Sequence, residues 1–518
     1  MNCPGSGLLA RPSNQPCREE LIRLLSEDLD FHSEDSGYAS HNFHSFPAKF
    51  PPQLPRKFIQ ALTTPGDVVL DPMMGSGTTL LEALLLGRRG IGFDVDPLAL
   101  LLAQTKVTPL DARQVAQASH RIIERAKRAT VQDPSGLERE MATRWDLRTR
   151  EFVDYWFAPE TQIALQALLT EIEQIQEEAV RAFFKLSFSA IIITKSGGVS
   201  LALDLAHTRP HRAKVVVDQD GHSIMSSDLT DQASRRARFV TKRLRSPFEE
   251  FDRRVAQNLK GLQSRASDPL QPSLFGLVDT KPNQIAPHIA LGDAQNLPLD
   301  DHSVDIIVTS PPYASNAIDY MRAHKFSLVW LGYSIGDLGE KRRGYIGGEA
   351  TTDFAFEELP EYVAHTVADF LSRDEKKGRA LQRYYSEMTR VLREMYRVLR
   401  PGRSAIVVVG SSVMRGQDTR TQTCLAEIGQ AVGFQVPKIG VRSLDRNRRM
   451  MPAGATLDLA SQIQQRMHEE YVIGFYKPDA QYAQHGVPNA GIFSGTHPAG
   501  RSGRKDHLHG QPGHQASL

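Results

Sequence analysis

The chain is 518 residues long, with 40% hydrophobic content and 62 basic against 60 acidic side chains. That is enough apolar material for two to four domains, and the near-cancelling charge excludes a polycation, so affinity for nucleic acid would have to come from local clusters. Cys3, Cys17 and Cys424 are too few and too scattered for a disulfide framework or a cysteine zinc site, and no signal-like core or membrane-length apolar run is present, which predicts a cytoplasmic protein without membrane contact.

Residues 1–42, rich in Ser, His and acidic side chains, read as a flexible lead-in with one short helix around Glu20 to Ser26. Over 43–109 the pattern is an aromatic and proline-containing loop, a helix (Gln53 to Leu62), a strand (Asp67 to Asp71), a glycine turn, a helix (Thr78 to Leu86) and a strand (Gly90 to Asp94). Such a βαβ unit implies a parallel sheet with a right-handed crossover. Over 110–285 the period becomes helical. Ile163, Leu165, Leu168, Leu169, Ile172, Ile175 and Ala179 predict one amphipathic helix running into Phe183, Phe184 and Phe188, and the stretch reads as a mostly helical insertion. The α/β rhythm returns over 286–477. Strands are expected in "HIALGDA" and "DIIVTSPPY", then a helix (Leu381 to Leu399), a turn at 400–403, the strand "SAIVVVGSS", a helix at 421–432 and a last strand, "EEYVIGFYK". Residues 478–518, rich in Gly, His, Pro and Ser, read as a disordered tail.

The chemistry concentrates at "VVLDPMMGSGTTLLEALLLGRRGIGFDVDP" (68–97). Glycines between a strand and a helix let backbone amides approach a ligand, and the helix amino terminus directs positive charge at it. Asp71 opens the turn, and Asp94 stands at the tip of the next strand, where a carboxylate accepts from ribose hydroxyls; a helix cap before Pro97 is its competing role. Thr78 rather than Lys follows Gly77, which disfavours a triphosphate. A carboxylate at the mouth repels pyrophosphate and suits a cation, and S-adenosylmethionine brings a sulfonium, an ammonium and a ribose.

The run Asp71, Pro72, Met73, Met74, Gly75, Ser76, Gly77, Thr78, Thr79, followed by Gly92, Phe93 and Asp94, resembles the cofactor motif of amino-group DNA methyltransferases. "FPAKFPPQLPRKFI" (46–59) resembles the family segment that closes over the methionine end of the cofactor, which implies contacts from Phe46, Lys49 and Phe50, although Lys49 and Phe50 suit packing as well. "LGDA" (291–294) is similar to the next strand tip, placing Asp293 and Ala294 near adenine, with loop capping the other role for Asp293. "SPPY" (310–313) resembles the catalytic tetrapeptide in the variant associated with cytosine. The resemblance implies an α/β fold, the Rossmann-like class I S-adenosylmethionine-dependent methyltransferase, with a parallel-rich sheet, helices on both faces and the helical insertion.

Chemically, an exocyclic base amine is a poor nucleophile because its lone pair is delocalised. Ser310 and the Pro311 carbonyl, turned out of the sheet with Pro312, are acceptors that can draw the nitrogen towards a tetrahedral form, and Tyr313 offers a face for an extruded base. Cys17, in the lead-in, is in the wrong place for carbon methylation. Phosphate contacts are expected from Arg235, Arg236, Arg238, Lys242, Arg243 and Arg245 in the insertion, taken as the target-recognition region, and from Arg442, Arg446, Arg448 and Arg449 near the last strand, with "AHTRPHR" (206–212) a further contact stretch; a solvated helix face remains the alternative for each cluster. The expected partner is double-stranded DNA, with a cognate restriction endonuclease. Cytosine N4 is the expected acceptor; adenine N6, guanine N2 in RNA and a catalytically silent DNA-binding protein are the other readings.

Overall fold

The computed structural model describes residues 15–46, 49–205, 210–226, 241–266, 286–314, 320–348, 351–410, 413–414, 417–444 and 469–479. The first helix, α1 (Gln15–Ser26), places Leu21, Leu24 and Leu25 on one face, and these residues and Leu29 are at most 3% exposed. They pack on the sheet beside Val408 and Val472. Gly474 permits the approach, since a Cβ there would lie 2.4 Å from a Leu25 methyl. This corrects the expectation of a loose lead-in: its described part is a layer of the fold, because the leucine stripe needs an apolar partner.

The unit that follows is α2 (Gln53–Leu62), β1 (Val68–Asp71), α3 (Thr78–Leu85), β2 (Arg89–Asp94) and α4 (Pro97–Val107), capped at Asp96. The insertion contributes α5 (Ala112–Gln132), α6 (Pro134–Arg144), α7 (Leu147–Trp156), α8 (Pro159–Glu173) and α9 (Glu178–Ile192). The single helix expected across 163–188 is therefore two helices. Its apolar period carries through the polar break at Gln174 to Glu177 because both segments bury into one cluster, and periodicity alone does not register a reversal. Three short strands, β3 (Val215–Val217), β4 (Ser223–Ser226) and β5 (Thr241–Arg243), form a separate sheet, followed by α10 (Pro247–Ala266).

The remainder runs β6 (His288–Leu291), β7 (Val304–Thr309), α11 (Tyr320–Leu328), α12 (Ile335–Arg343), α13 (Glu361–Leu371), α14 (Glu375–Val398), β8 (Leu399–Gly410), β9 (Val413–Met414), β10 (Gln417–Asp418), α15 (Thr421–Val432), β11 (Gln435–Ser443) and β12 (Glu469–Tyr476). The expected turn at 400–403 lies inside β8, as an irregularity in its pairing with β7.

The main sheet has the order β11-β12-β8-β7-β1-β2-β6. Pairings are parallel from β6 through to β8, and β12 runs antiparallel to both neighbours. From β1 the chain moves outward through β2 to β6, then returns to β7 on the other side. The crevice at the carboxyl ends of β1 and β7 is a topological switch point, where open parallel sheets bind ligands.

Candidate active site

Backbone geometry builds the turn after β1. Gly75 and Gly77 have φ of +46° and +70°, in the left-handed region that favours glycine. A Cβ on Gly77 would lie 2.7 Å from the Ala103 Cβ, so this glycine also sets the contact of α3 with α4. The Gly77 amide donates to the Met74 carbonyl at 2.7 Å. Lys106, fully buried on α4, donates to the Ser76 carbonyl at 2.6 Å, and burial holds its pKa well below the ordinary lysine value. Thr79 donates to the Val308 carbonyl at 3.2 Å, tying α3 to β7.

Three carboxylates border the turn. Asp71 is 2% exposed, and burial pushes its pKa up to about 6. Asp94 accepts from the Gly75 amide at 2.8 Å and the Asp96 amide at 2.9 Å; burial, with the neighbouring Asp96, pushes its pKa up to about 7. Asp96 caps α4 through the Leu98 amide at 2.8 Å and accepts from His324 Nδ1 at 2.5 Å. Burial works against its charge, but His324 and that amide hold its carboxyl below the ordinary range. The capping role considered for Asp94 therefore belongs to Asp96, leaving Asp94 to brace the glycine turn. Lys49 donates to the carbonyls of His41 at 3.2 Å and His44 at 2.6 Å, and burial pushes its pKa down to about 8.

A cavity of about 880 Å³, including its solvent mouth, joins these groups to the end of β7. Phe46, Lys49 and Phe50 line one wall; Asp71, Pro72, Gly75, Ser76 and Thr78, with Met73 and Met74, line the floor. Asp94 lies at the β2 tip with Val95 and Asp96, Asp293 and Ala294 at the β6 tip with Gly292, and Ser310 and Pro312 at the β7 exit. Gly77, Thr79, Pro311 and Tyr313 are not on the wall: the first two secure α3, and Tyr313, half-buried directly after Pro312, packs against the core on the side of β12 and donates to Glu470 at 2.9 Å. The exposed Asp293 side chain accepts from the Gln295 amide at 2.9 Å, so the loop-capping role is observed, in a residue that also borders the cavity.

Sequence reasoning missed Asp96, Tyr320, Gly344, Tyr345 and Ile346 on the wall, and His324 behind it. Asp96 was legible as the residue before Pro97, the usual capping position. The rest come from a stretch with no motif.

Two basic candidates are corrected. Lys242 is 7% exposed and donates to the Ser196 carbonyl at 3.0 Å and to the Ala202 carbonyl; burial pushes its pKa down to about 7, so it braces the insertion rather than presenting charge. Arg442 is 6% exposed and paired with Glu470. Arg243 is exposed on β5, and Arg245 lies beside Glu250 at 3.6 Å. Arg235, Arg236, Arg238, Arg446, Arg448 and Arg449, and residues 206–209, lie outside the described residues.

The DNA methylase family model matches residues 28–105. The chain is 23% identical over 434 residues to the Type II methyltransferase M.MvaI of Kocuria varians, covering 79% of this chain and 87% of that one. It is 20% identical over 476 residues to the Type II methyltransferase M.BsoBI of Geobacillus stearothermophilus, covering 81% and 85%. The solved structure of a DNA modification methylase from Thermus thermophilus, complexed with S-adenosyl-L-methionine, matches 38% of this chain and 61% of its own at 19% identity, with a TM-score of 0.19. A glycine turn, a second-strand acid and a proline-bounded strand exit thus meet at one crevice in a chain that is similar, across both of its halves, to Type II DNA methyltransferases.

Proposed function

We propose that the chain transfers a methyl group from S-adenosylmethionine to the N4 amine of cytosine in duplex DNA, after the base is turned out of the helix, within a restriction-modification pair that includes a cognate endonuclease. The observation that carries this reading is the single cavity shared by the glycine turn and the strand exit at Ser310. The donor set fits the cofactor: buried Asp71 for an ammonium, Asp94 for a ribose diol, Lys49 for a carboxylate, and Phe46 as an apolar wall. When bound, the cofactor supplies a methyl carbon already activated by a sulfonium leaving group.

The chain's own residues then have three tasks. Asp71, Asp94 and Lys49 fix the cofactor's two ends. Ser310 Oγ and the Pro311 carbonyl accept hydrogen bonds from the amine and draw its lone pair out of conjugation; alignment supplies much of the acceleration, so no strong base is needed. Pro311 and Pro312 cannot donate to a ladder, which frees the strand end for this use. Serine at position 310 favours cytosine over adenine. The exposed Arg243, with the arginines at 235, 236 and 238 in the insertion and at 446, 448 and 449 before β12, is assigned to DNA phosphates.

The test is product identity. Purified protein with labelled S-adenosylmethionine and duplex DNA or RNA, digested to nucleosides, is expected to yield N4-methylcytosine. N6-methyladenine would replace the cytosine assignment, and label in RNA alone would overturn the DNA reading.

Cofactor binding is expected to be strongest between about pH 7 and 8. A ribose diol donates to ionised Asp94, so affinity rises as pH climbs through about 7; a carboxylate needs charged Lys49, so affinity falls as pH passes about 8. Calorimetric titration from pH 5.5 to 9.5 checks this, and a flat profile would contradict the two assignments.

A further inference from the structure

The Tyr313 side chain is tethered at its far end. Its hydroxyl donates to Glu470 Oε1 at 2.9 Å, and the other oxygen of that carboxylate pairs with the Arg442 guanidinium. Arg442 is anchored in turn, its Nε donating to the Leu29 carbonyl at 3.2 Å. Glu470 and Arg442 face each other across the β11 and β12 ladder, and Glu470 pairs with Gly410 on its other side, so the backbone fixes both side chains at their roots. Exposures of 9% and 6% put the ion pair out of water, an environment in which such a pair costs desolvation and is weak evidence of stabilisation. A hydrogen-bonded carboxylate does, however, define one direction for the phenol it accepts from, and the geometry is fixed from β12, the strand that runs against both of its neighbours in the main sheet.

We propose that Glu470, held by Arg442, is a positioning residue that fixes the ring plane of Tyr313 for stacking on the extruded base. The inference rests on the base-flipping reading above and adds residues outside the cavity wall to it. The tether acts at the step where DNA is engaged: a ring already held in one orientation loses less freedom when the base arrives. It leaves the cofactor end of the site untouched.

The experiment measures steady-state methyl transfer from tritiated S-adenosylmethionine to genomic DNA prepared from a methylation-deficient host, together with equilibrium binding of the cofactor. Tyr313→Phe keeps the ring and removes the tether; it is expected to raise KM for DNA about tenfold, with kcat reduced less than threefold and cofactor affinity unchanged. Glu470→Gln retains an acceptor for the phenol and is expected to fall between wild type and Tyr313→Phe. Adding Glu470→Gln to Tyr313→Phe is expected to raise KM no further, because the tether is already gone. An active wild type with Tyr313→Phe at the wild-type KM, or with the two substitutions acting additively, would overturn the positioning role. Wild-type protein that methylates RNA but no DNA would overturn the functional reading itself, and the inference with it.

Discussion

Replacing Ser310 by alanine is expected to lower the single-turnover rate of methyl transfer about 10²-fold while leaving cofactor affinity within about twofold of wild type. Ser310 follows directly on Thr309, the last residue of β7, and borders the same cavity as Asp71 and Gly75. Ser310 carries the one side-chain hydroxyl among the tetrapeptide residues that line the cavity, because Tyr313 is turned towards Glu470. On the proposed reading the Pro311 carbonyl, between the two lining residues Ser310 and Pro312, remains as an acceptor when the hydroxyl is lost, so activity is expected to fall but not to vanish. Rapid-quench measurement with saturating DNA separates this from a binding defect; a rate within threefold of wild type would remove Ser310 from the chemistry.

Glu82→Ala is expected to cost about 3 to 5 kcal/mol of folding stability, the loss associated with removing one partner of a buried charged network. Glu82 is fully buried on α3 and collects three donors: the Tyr38 hydroxyl at 2.7 Å, His41 Nε2 at 2.8 Å and Arg56 at 3.1 Å. His41 is held neutral, with burial pushing its pKa down to about 4. The carboxylate therefore fastens the segment before Phe46, and α2, to the helix that follows the glycine turn. Glu82→Gln keeps an acceptor and is expected to lose less. Urea denaturation of the alanine variant provides the check, and a change under about 1 kcal/mol would show that the segment is secured elsewhere.

Much of the cofactor half was legible because its signals are local. Gln53 to Leu62 is the observed span of α2, and β1, α3 and β2 begin or end within a residue of expectation. Each is bounded by a proline, a glycine or an acid that the backbone needs at that point. Strand β11 went unread because Pro437 and Gly440 interrupt it, and such residues suit an edge position while spoiling the pattern. Helices α11 and α12 went unread because their burial depends on the insertion they pack against, and α13 because it is buried against α14 and α15, which follow it in the chain; no short window reveals either. The same separation hid the partners of the site. Asp96 and His324 are far apart in the chain yet share a hydrogen bond, and Arg442 looks like a free cation until Glu470 is seen across the ladder. Lys242 misled for the same reason: a basic run gives no sign of which member points inward.

The excursion from Thr108 to Pro287 leaves the sheet after α4 and returns at β6, a four-residue strand at the sheet margin that, among the described residues, is paired with β2 alone. Closing a longer loop adds only about 0.6 kcal/mol per doubling, so this margin is expected to tolerate large changes in the length of what is grafted there without rebuilding the sheet. The tolerance has a mechanical counterpart. The strand that leads to Asp293 and Ala294 at the cavity is an edge strand with, among the described residues, one strand partner, so its amides are expected to exchange with solvent ahead of those of β7, which lies between two partners.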